Sequence, residues 1–348
     1  MKIPEISVST TFSLELKKRI QQEISSLSTT NGGYRLFLKS LFYLSLVVAA
    51  YVFSFIVPHS TEALCLSAAA LGTVVALSGI NITHDGVHET FSNHKFLNHC
   101  ASFLLNVLGA SSLFWKTNHT VSHHNFTNVN EKDADLDQGI LLRLHPEQKK
   151  MKFHRFQYLY FPVLYGLSYI VWSLVFDFQY YFALKKKDLE KVTSSQHLIF
   201  WIGKFCAISI FLVTPIYVLG FGLGILFYVI FGVFCGLTLS LVFQLAHITE
   251  GVTFHENDDN RKENWFVNQI KTTANFSIKS KFVHFLFGGL NFQIEHHLFP
   301  KISHIHYPRL SKVVRDTCKE FEIPYVSYPS VFSAFRSHVL QLKKLGVC

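Results

Sequence analysis

Apolar runs alternate with polar segments along this chain on the scale of a lipid bilayer. Leu41–Val57 and Ala63–Ile82 carry no charged residue, and Phe205–Ala246 carries none over a length sufficient for two crossings of about 20 residues each. These runs lack the strand-like alternation of a barrel, and in hydrocarbon an isolated segment satisfies its backbone only as a helix. Gly220-Phe221-Gly222 marks the turn that divides the long run. The expected fold is an all-α integral membrane protein with four transmembrane helices, near 41–57, 63–82, 198–219 and 223–246. A further uncharged stretch, Phe156–Phe176, holds Tyr158, Tyr160, Tyr165, Tyr169 and Trp172, whose rings prefer headgroup depth, so it is expected to lie in the interface or re-enter.

The polar positions that break this pattern carry the chemistry. Of nineteen histidines, eight stand where apolar runs end: His84 with His88, His119 with His123 and His124, His247 alone, and His296 with His297. Neutral imidazole is suited to iron, copper or zinc near neutral pH, and eight ligands are twice what one tetrahedral zinc takes, so two metals are expected. A shared site requires the four groups on one side of the membrane. An even number of crossings between His119 and His247 is therefore needed, which the spans at 198–219 and 223–246 supply and the aromatic stretch does not alter.

Basic residues set the side. Lys17, Lys18 and Arg19 precede the first span, Lys185–Lys187 precede the third, and Lys301, Arg309, Lys312 and Arg315 follow the last histidines, whereas Pro58–Glu62 and Gly220–Gly222 hold no Lys or Arg. By the positive-inside rule both termini and the histidines face the cytoplasm. The chain then reads as one domain, 1–348: a cytoplasmic N-terminal segment 1–36, the four spans, and a cytoplasmic metal cap built from 84–183 and 247–348. The composition agrees, with 49% hydrophobic and 16% charged residues in a chain of 348. The net charge of +9, from 32 basic and 23 acidic residues, follows from topology and suits anionic membrane lipid; no nucleic-acid partner is expected. The polar, mixed-charge first thirty residues show no cleavable signal peptide. Six scattered cysteines without a Cys-x-x-Cys pair argue against a disulfide framework or a thiolate zinc site.

Spacing assigns the histidines to faces. His84 and His88 are four apart and share one face of a helix, as do His119 and His123, while His124 adds an adjacent ring on a neighbouring face. Gln293, one turn before His296, can ligate weakly or hold a water, and Asp85, Asp135, Asp137, Glu250 and Glu295 are carboxylates near enough in sequence to fix a ring tautomer. A metal transporter would place polar ligands within its spans, and here those are almost empty of ionisable groups; a bis-histidine haem protein would face its histidines between spans. Two irons are preferred, because with dioxygen they can take hydrogen from an unactivated methylene, and the apolar spans offer a dry sleeve for a hydrocarbon chain.

With these motifs in place the chain resembles the membrane fatty acid desaturases, and among them the front-end type related to linoleoyl-CoA desaturase. The resemblance covers nearly everything after the first thirty residues. It rests on H-D-G-V-H at His84–His88, W-K-T-N-H-T-V-S-H-H-N-F-T-N at Trp115–Asn128, D-A-D-L-D at Asp133–Asp137, F-Q-L-A-H at Phe243–His247 and G-G-L-N-F-Q-I-E-H-H-L-F-P at Gly288–Pro300. Gln293, opening the last box, is the front-end mark. The resemblance implies a non-haem di-iron oxidoreductase that uses O2 and two electrons to insert a cis double bond into a long-chain fatty acyl substrate carried on a lipid or on coenzyme A. Its iron ligands would be His84, His88, His119, His123, His124, His247, His296 and His297, with no catalytic residue beyond the metal centre. No H-P-G-G motif of a fused cytochrome b5 domain is present, so electrons are expected from a separate cytochrome b5 or ferredoxin, and the setting expected is a bacterial inner membrane. Hydroxylases of the same superfamily share such boxes and form the alternative.

Overall fold

The computed structural model describes residues 5–56, 60–137, 139–187, 192–256 and 264–348. Residues 57–59 of the first loop, the side chains of the basic run 185–187, and residues 257–263 of the polar run lie outside the described part. Among the described residues the fold is helical, apart from two parallel two-residue strands, β1 (Asn275–Phe276) and β2 (Ser327–Tyr328).

Thirteen helices matter to the site. They are α1 (Glu5–Ser25), α2 (Gly33–Ile56), α3 (Thr61–Val87), α4 (Lys95–Val107), α5 (Ser112–Phe126), α6 (Lys152–Ala183) and α7 (Ser194–Leu219) in the first half. α8 (Phe221–His247), α9 (Trp265–Lys271), α10 (Lys281–Leu286), α11 (Gln293–Leu298), α12 (Tyr307–Glu320) and α13 (Val331–Val347) follow. Five of them, α2, α3, α6, α7 and α8, are long and apolar enough to cross a membrane, one more than the four expected. The extra one is α6, which contains the aromatic stretch 156–176, carries Pro162 within it and is the least apolar of the five. Helices α4 and α5 meet at a bend of 116°.

Local sequence explains the ends. Ser60 caps α3 by accepting from the Ala63 N–H, and Thr193 with Gln196 forms a capping box at α7. Gly220 adopts φ +80° between α7 and α8, a left-handed turn that glycine permits without a Cβ penalty.

The chain forms two compact units, each assembled from separated segments. One comprises 33–117 and 162–241. Leu71 and Val75 of α3 pack with Phe211 of α7 and Phe227 and Phe231 of α8; Phe211 and Phe231 stack with centroids 4.7 Å apart. Gly72 lets α3 lie directly on α8, since a Cβ there would strike the main chain of Phe231. Outward-facing Leu66, Phe205, Tyr217 and Phe221 are strongly exposed, as a hydrocarbon environment requires. The spans are not free of charge, however. Lys204 of α7 is only 4% exposed and its Nζ lies 2.7 Å from Asp177 Oδ2 in α6. The span expected at 198–219 contains this lysine, the exception to spans read as almost empty of ionisable groups.

The other unit comprises 1–32, 118–161 and 242–348. Phe12, Leu16 and Ile20 fall on one face of α1 at a four-residue interval, and Leu310, Val314 and Cys318 do the same on α12, so the two stripes meet in one core with Phe292 and Leu298 flanking α11. β1 pairs with β2 in register Asn275↔Ser327 and Phe276↔Tyr328, which fixes the segment leading into the last histidine box.

Candidate metal centre

A π-helical turn, Gly79–Thr83, precedes the first histidine pair, and His84 and His88 then face one another with ring centroids 4.7 Å apart. They lie in the first unit, where both are buried. Gly86 between them is the contact point of that turn with α4. A Cβ there would sit 2.6 Å from the Ser102 nitrogen and 2.7 Å from the Ala101 Cβ. Gly86→Ala should therefore cost about 1–3 kcal/mol by overpacking, seen as a lowered thermal midpoint. Gly79→Ala, which meets nothing closer than Thr83 Oγ1 at 3.9 Å, should leave it nearly unchanged.

The remaining six histidines lie in the second unit, all buried. His119 and His123 fall in a π-helical turn, Thr117–His123, rather than in the α-helix the sequence suggests. A π turn bonds i to i+5 and is wider than an α turn, so residues four and five apart both come close to one face. His119 accordingly meets both rings: His123 stacks with it at 5.5 Å between centroids, as expected of their shared face, and His124 also comes against it, Nε2 to Nε2 at 3.3 Å. From α11, His296 and His297 enter the same space: His124 stacks with His297 at 4.4 Å between centroids and meets His296 edge-on at 4.6 Å. His247, ending α8, meets His123 at 4.6 Å and His297 at 4.9 Å.

Two triads result. Ligand atoms of His123, His247 and His297 lie within 4.8 Å of one another, and so do those of His124, His296 and His297. His297 belongs to both. A site of this kind is expected to bring together buried nitrogens that the protein itself does not satisfy. His123 Nε2 and both ring nitrogens of His247 are buried and have no hydrogen-bond partner among the described residues. The donor set, nitrogen without thiolate, suits a transition metal.

Partners behind the rings fix their orientation. His123 Nδ1 is 3.0 Å from Asp133 Oδ1 and 3.4 Å from Asp135 Oδ2. Burial resists charge on this ring, but the two carboxylates outweigh it and raise its pKa to about 9. His296 Nδ1 is 3.1 Å from the Tyr307 hydroxyl, and His297 Nδ1 is 3.0 Å from Gln269 Oε1. Asn128, at φ +56°, donates to Asp133 Oδ2 through its main chain and places its side-chain amide 3.1 Å from the His247 carbonyl, joining the second box to the end of α8.

The carboxylates named from sequence separate. Asp135 is on His123, whereas Asp137 accepts from the Gly139 N–H in an exposed turn. Asp85 Oδ1 stands 3.8 Å from His84 Nδ1, beyond hydrogen-bond length. Glu250 sits in an exposed turn held through its main chain by Ser337 and Tyr328. Glu295 does not reach a histidine ring through any hydrogen bond described: its oxygens accept from Asn275 Nδ2 at 2.7 Å and Tyr325 Oη at 3.0 Å. Burial pushes it up to about 7 against those donors. Gln293 is buried with neither amide atom hydrogen-bonded among the described residues. Asp133, Gln269, Tyr307, Thr127 and Asn128 were not among the candidates read from sequence. Only Asp133, Thr127 and Asn128 carried a signal, by standing within the quoted motifs.

A helical membrane protein with buried histidine clusters fit to hold metal is the class these features define. Residues 60–329 match the fatty acid desaturase family, and the chain belongs to that family. It is 34% identical over 344 residues to the acyl-lipid (8-3)-desaturase of Physcomitrium patens, covering 97% of this chain and 72% of that one. It is 30% identical over 353 residues to the sn-1 linoleoyl-lipid 6-desaturase of Arthrospira platensis, covering 97% and 93%. Against the acyl-lipid (8-3)-desaturase of Mortierella alpina it is 30% identical over 330 residues, covering 91% and 72%.

Proposed function

We propose that the protein is an oxygen-dependent front-end fatty acyl desaturase. It inserts a cis double bond between an existing one and the carboxyl end of a chain carried on a glycerolipid or coenzyme A. The observation that carries this reading is the pair of buried histidine triads sharing His297, in a chain whose relatives are named for acyl-lipid desaturation. The ligands we assign are His84, His88, His119, His123, His124, His247, His296 and His297, with Gln293 beside them. Two bound irons would supply the reduction of one O2 to two waters, which takes four electrons and four protons: two of each as the two hydrogen atoms leaving adjacent methylenes, and two of each from outside.

The chain's own part is to bind and orient. Asp133 and Asp135 hold the His123 ring, Tyr307 meets His296, and burial of the histidines keeps bulk water away. The external electrons come from a separate cytochrome b5 or ferredoxin, and the termini and histidines face the cytoplasm of a bacterial inner membrane. The metal cap comprises 84–183 and 247–348, with α6 lying in or re-entering the interface, as parity requires.

Expression in a host without polyunsaturated lipids, with defined fatty acids supplied, should yield new double bonds on the carboxyl side of existing ones, located by mass spectrometry. Hydroxylated products would replace this reading by the hydroxylase one. No new product from any of the acids would reject it. Metal analysis of the purified protein should return about two irons per chain, the number eight imidazoles can hold.

A further inference from the structure

Gln269 lies on α9, which belongs to no histidine motif, and it is 1% exposed. Its amide has one consistent orientation. Nε2 lies 2.9 Å from the main-chain carbonyl of His124, which can only accept, so the nitrogen faces that carbonyl and Oε1 faces the opposite way. Oε1 is then 3.0 Å from His297 Nδ1, and Thr127 Oγ1 is 3.1 Å from the same nitrogen. Thr127 has one hydroxyl proton and two oxygens to take it, the His123 carbonyl at 2.8 Å and Gln269 Oε1 at 3.2 Å. With that proton committed, the hydroxyl meets His297 as an acceptor. Two acceptors around Nδ1 require the proton to be there, which leaves the lone pair of a neutral ring at Nε2.

We propose that Gln269 is a positioning residue of this centre: it holds His297 in the Nδ1–H tautomer and, through the His124 carbonyl, ties the second histidine box to the third. This deepens the metal reading given above and rests on it. Because His297 stands in both triads, an error in its tautomer would turn its one lone pair away from the ion it would hold and shift a ring packed against His124 and His247. The arrangement is that of a ligating histidine braced through its distal N–H, a contact whose loss typically weakens metal binding about 10- to 100-fold.

The test is a titration of the purified, metal-stripped full chain with Co2+ alone, against a competing chelator, reading affinity and the visible band of the bound ion. Failure of the wild-type chain to bind cobalt would reject the metal reading itself. If it binds, Gln269→Leu, which removes donor and acceptor at similar volume, should weaken binding about 10- to 100-fold and alter the band. Gln269→Glu keeps an acceptor for His297 but gives up the donor to the His124 carbonyl, and it should recover most of the affinity because the His297 contact is the one that sets the tautomer. Thr127→Val removes the second acceptor and should give a smaller loss. Wild-type affinity in Gln269→Leu, or no recovery in Gln269→Glu, overturns the proposal. Where Gln269→Leu does not fold, Thr127→Val decides. Weakened cobalt binding there, with affinity retained in Gln269→Glu, supports the proposal, and any other combination overturns it.

Discussion

His297→Ala is expected to abolish double-bond formation and to strip the purified protein of nearly all its metal. The larger part of this expectation comes from position. His297 is common to both triads, whereas His247 and His123 belong to only one of them and His124 and His296 only to the other. A neutral ring gives its one lone pair to one ion at a time, so the variant takes a nitrogen from the ion that His297 would hold and, in the other triad, removes the ring against which its neighbours pack, at 4.4 Å from His124 and 4.9 Å from His247. His247→Ala removes a ligand from one triad only and should retain about one iron per chain, half of what eight ligands are expected to hold. Both variants should stay folded, because a small cavity among rings is created and no apolar core contact is lost; the elution volume in detergent and the far-ultraviolet dichroism check this. Metal analysis then ranks the three proteins as wild type, His247→Ala, His297→Ala. Wild-type turnover by His297→Ala would end the assignment, and equal metal loss in the two variants would show that His297 supports only one triad.

The histidines were legible because their chemistry and their placement agree. Imidazoles are costly at the ends of apolar runs unless they are used, and their spacing puts them on shared faces. Four spans were legible because hydrocarbon favours continuous apolar helices, but neither the fifth candidate, α6, nor the charge pair that Lys204 carries into α7 was. What was not legible depends on backbone geometry or on distant partners. The π turn at Thr117–His123 moves His124 from a neighbouring face to a position against His119, and nothing in H-T-V-S-H-H announces five-residue bonding. Within D-A-D-L-D all three carboxylates look alike. The 3-10 turn Ala134–Leu136 sends Asp133 and Asp135 toward His123 and Asp137 toward Gly139. Glu295 adjoins a ligand in sequence, yet its hydrogen bonds go to Asn275 and Tyr325, because adjacent residues on a helix point to different faces. Gln269 stands in a short buried helix outside every histidine motif, and its role exists only once α9, α5 and α11 are folded together.

Lys204 is expected to give the largest effect on stability of any single position in the unit formed by 33–117 and 162–241. Its ammonium donates to Asp177 Oδ2 at 2.7 Å, to the Ser173 carbonyl at 2.8 Å and to the Gly109 carbonyl at 2.9 Å, which uses all three of its protons. Asp177 is equally occupied, accepting from the Ser111 N–H at 2.7 Å and the Trp172 indole at 3.1 Å. The pair therefore fastens α6 and α7 to the bend between α4 and α5, where Gly109 holds φ +110° against the Tyr169 hydroxyl. Lys204→Met leaves Asp177 buried with its counter-ion gone and two carbonyls without a donor, and breaking such a pair costs about 3–5 kcal/mol. The expected result is a sharp loss of folded protein recovered in detergent, with the thermal midpoint of any remainder lowered. A buried pair owes much of that penalty to the charge left behind, so Lys204→Met combined with Asp177→Leu should recover much of the loss, though not the hydrogen bonds to Ser111 and Trp172. If the double variant is as unstable as the sum of the two single ones, the ion pair is not what joins these helices. A Lys204→Met protein with an unchanged midpoint would remove the charge from the account of this fold altogether.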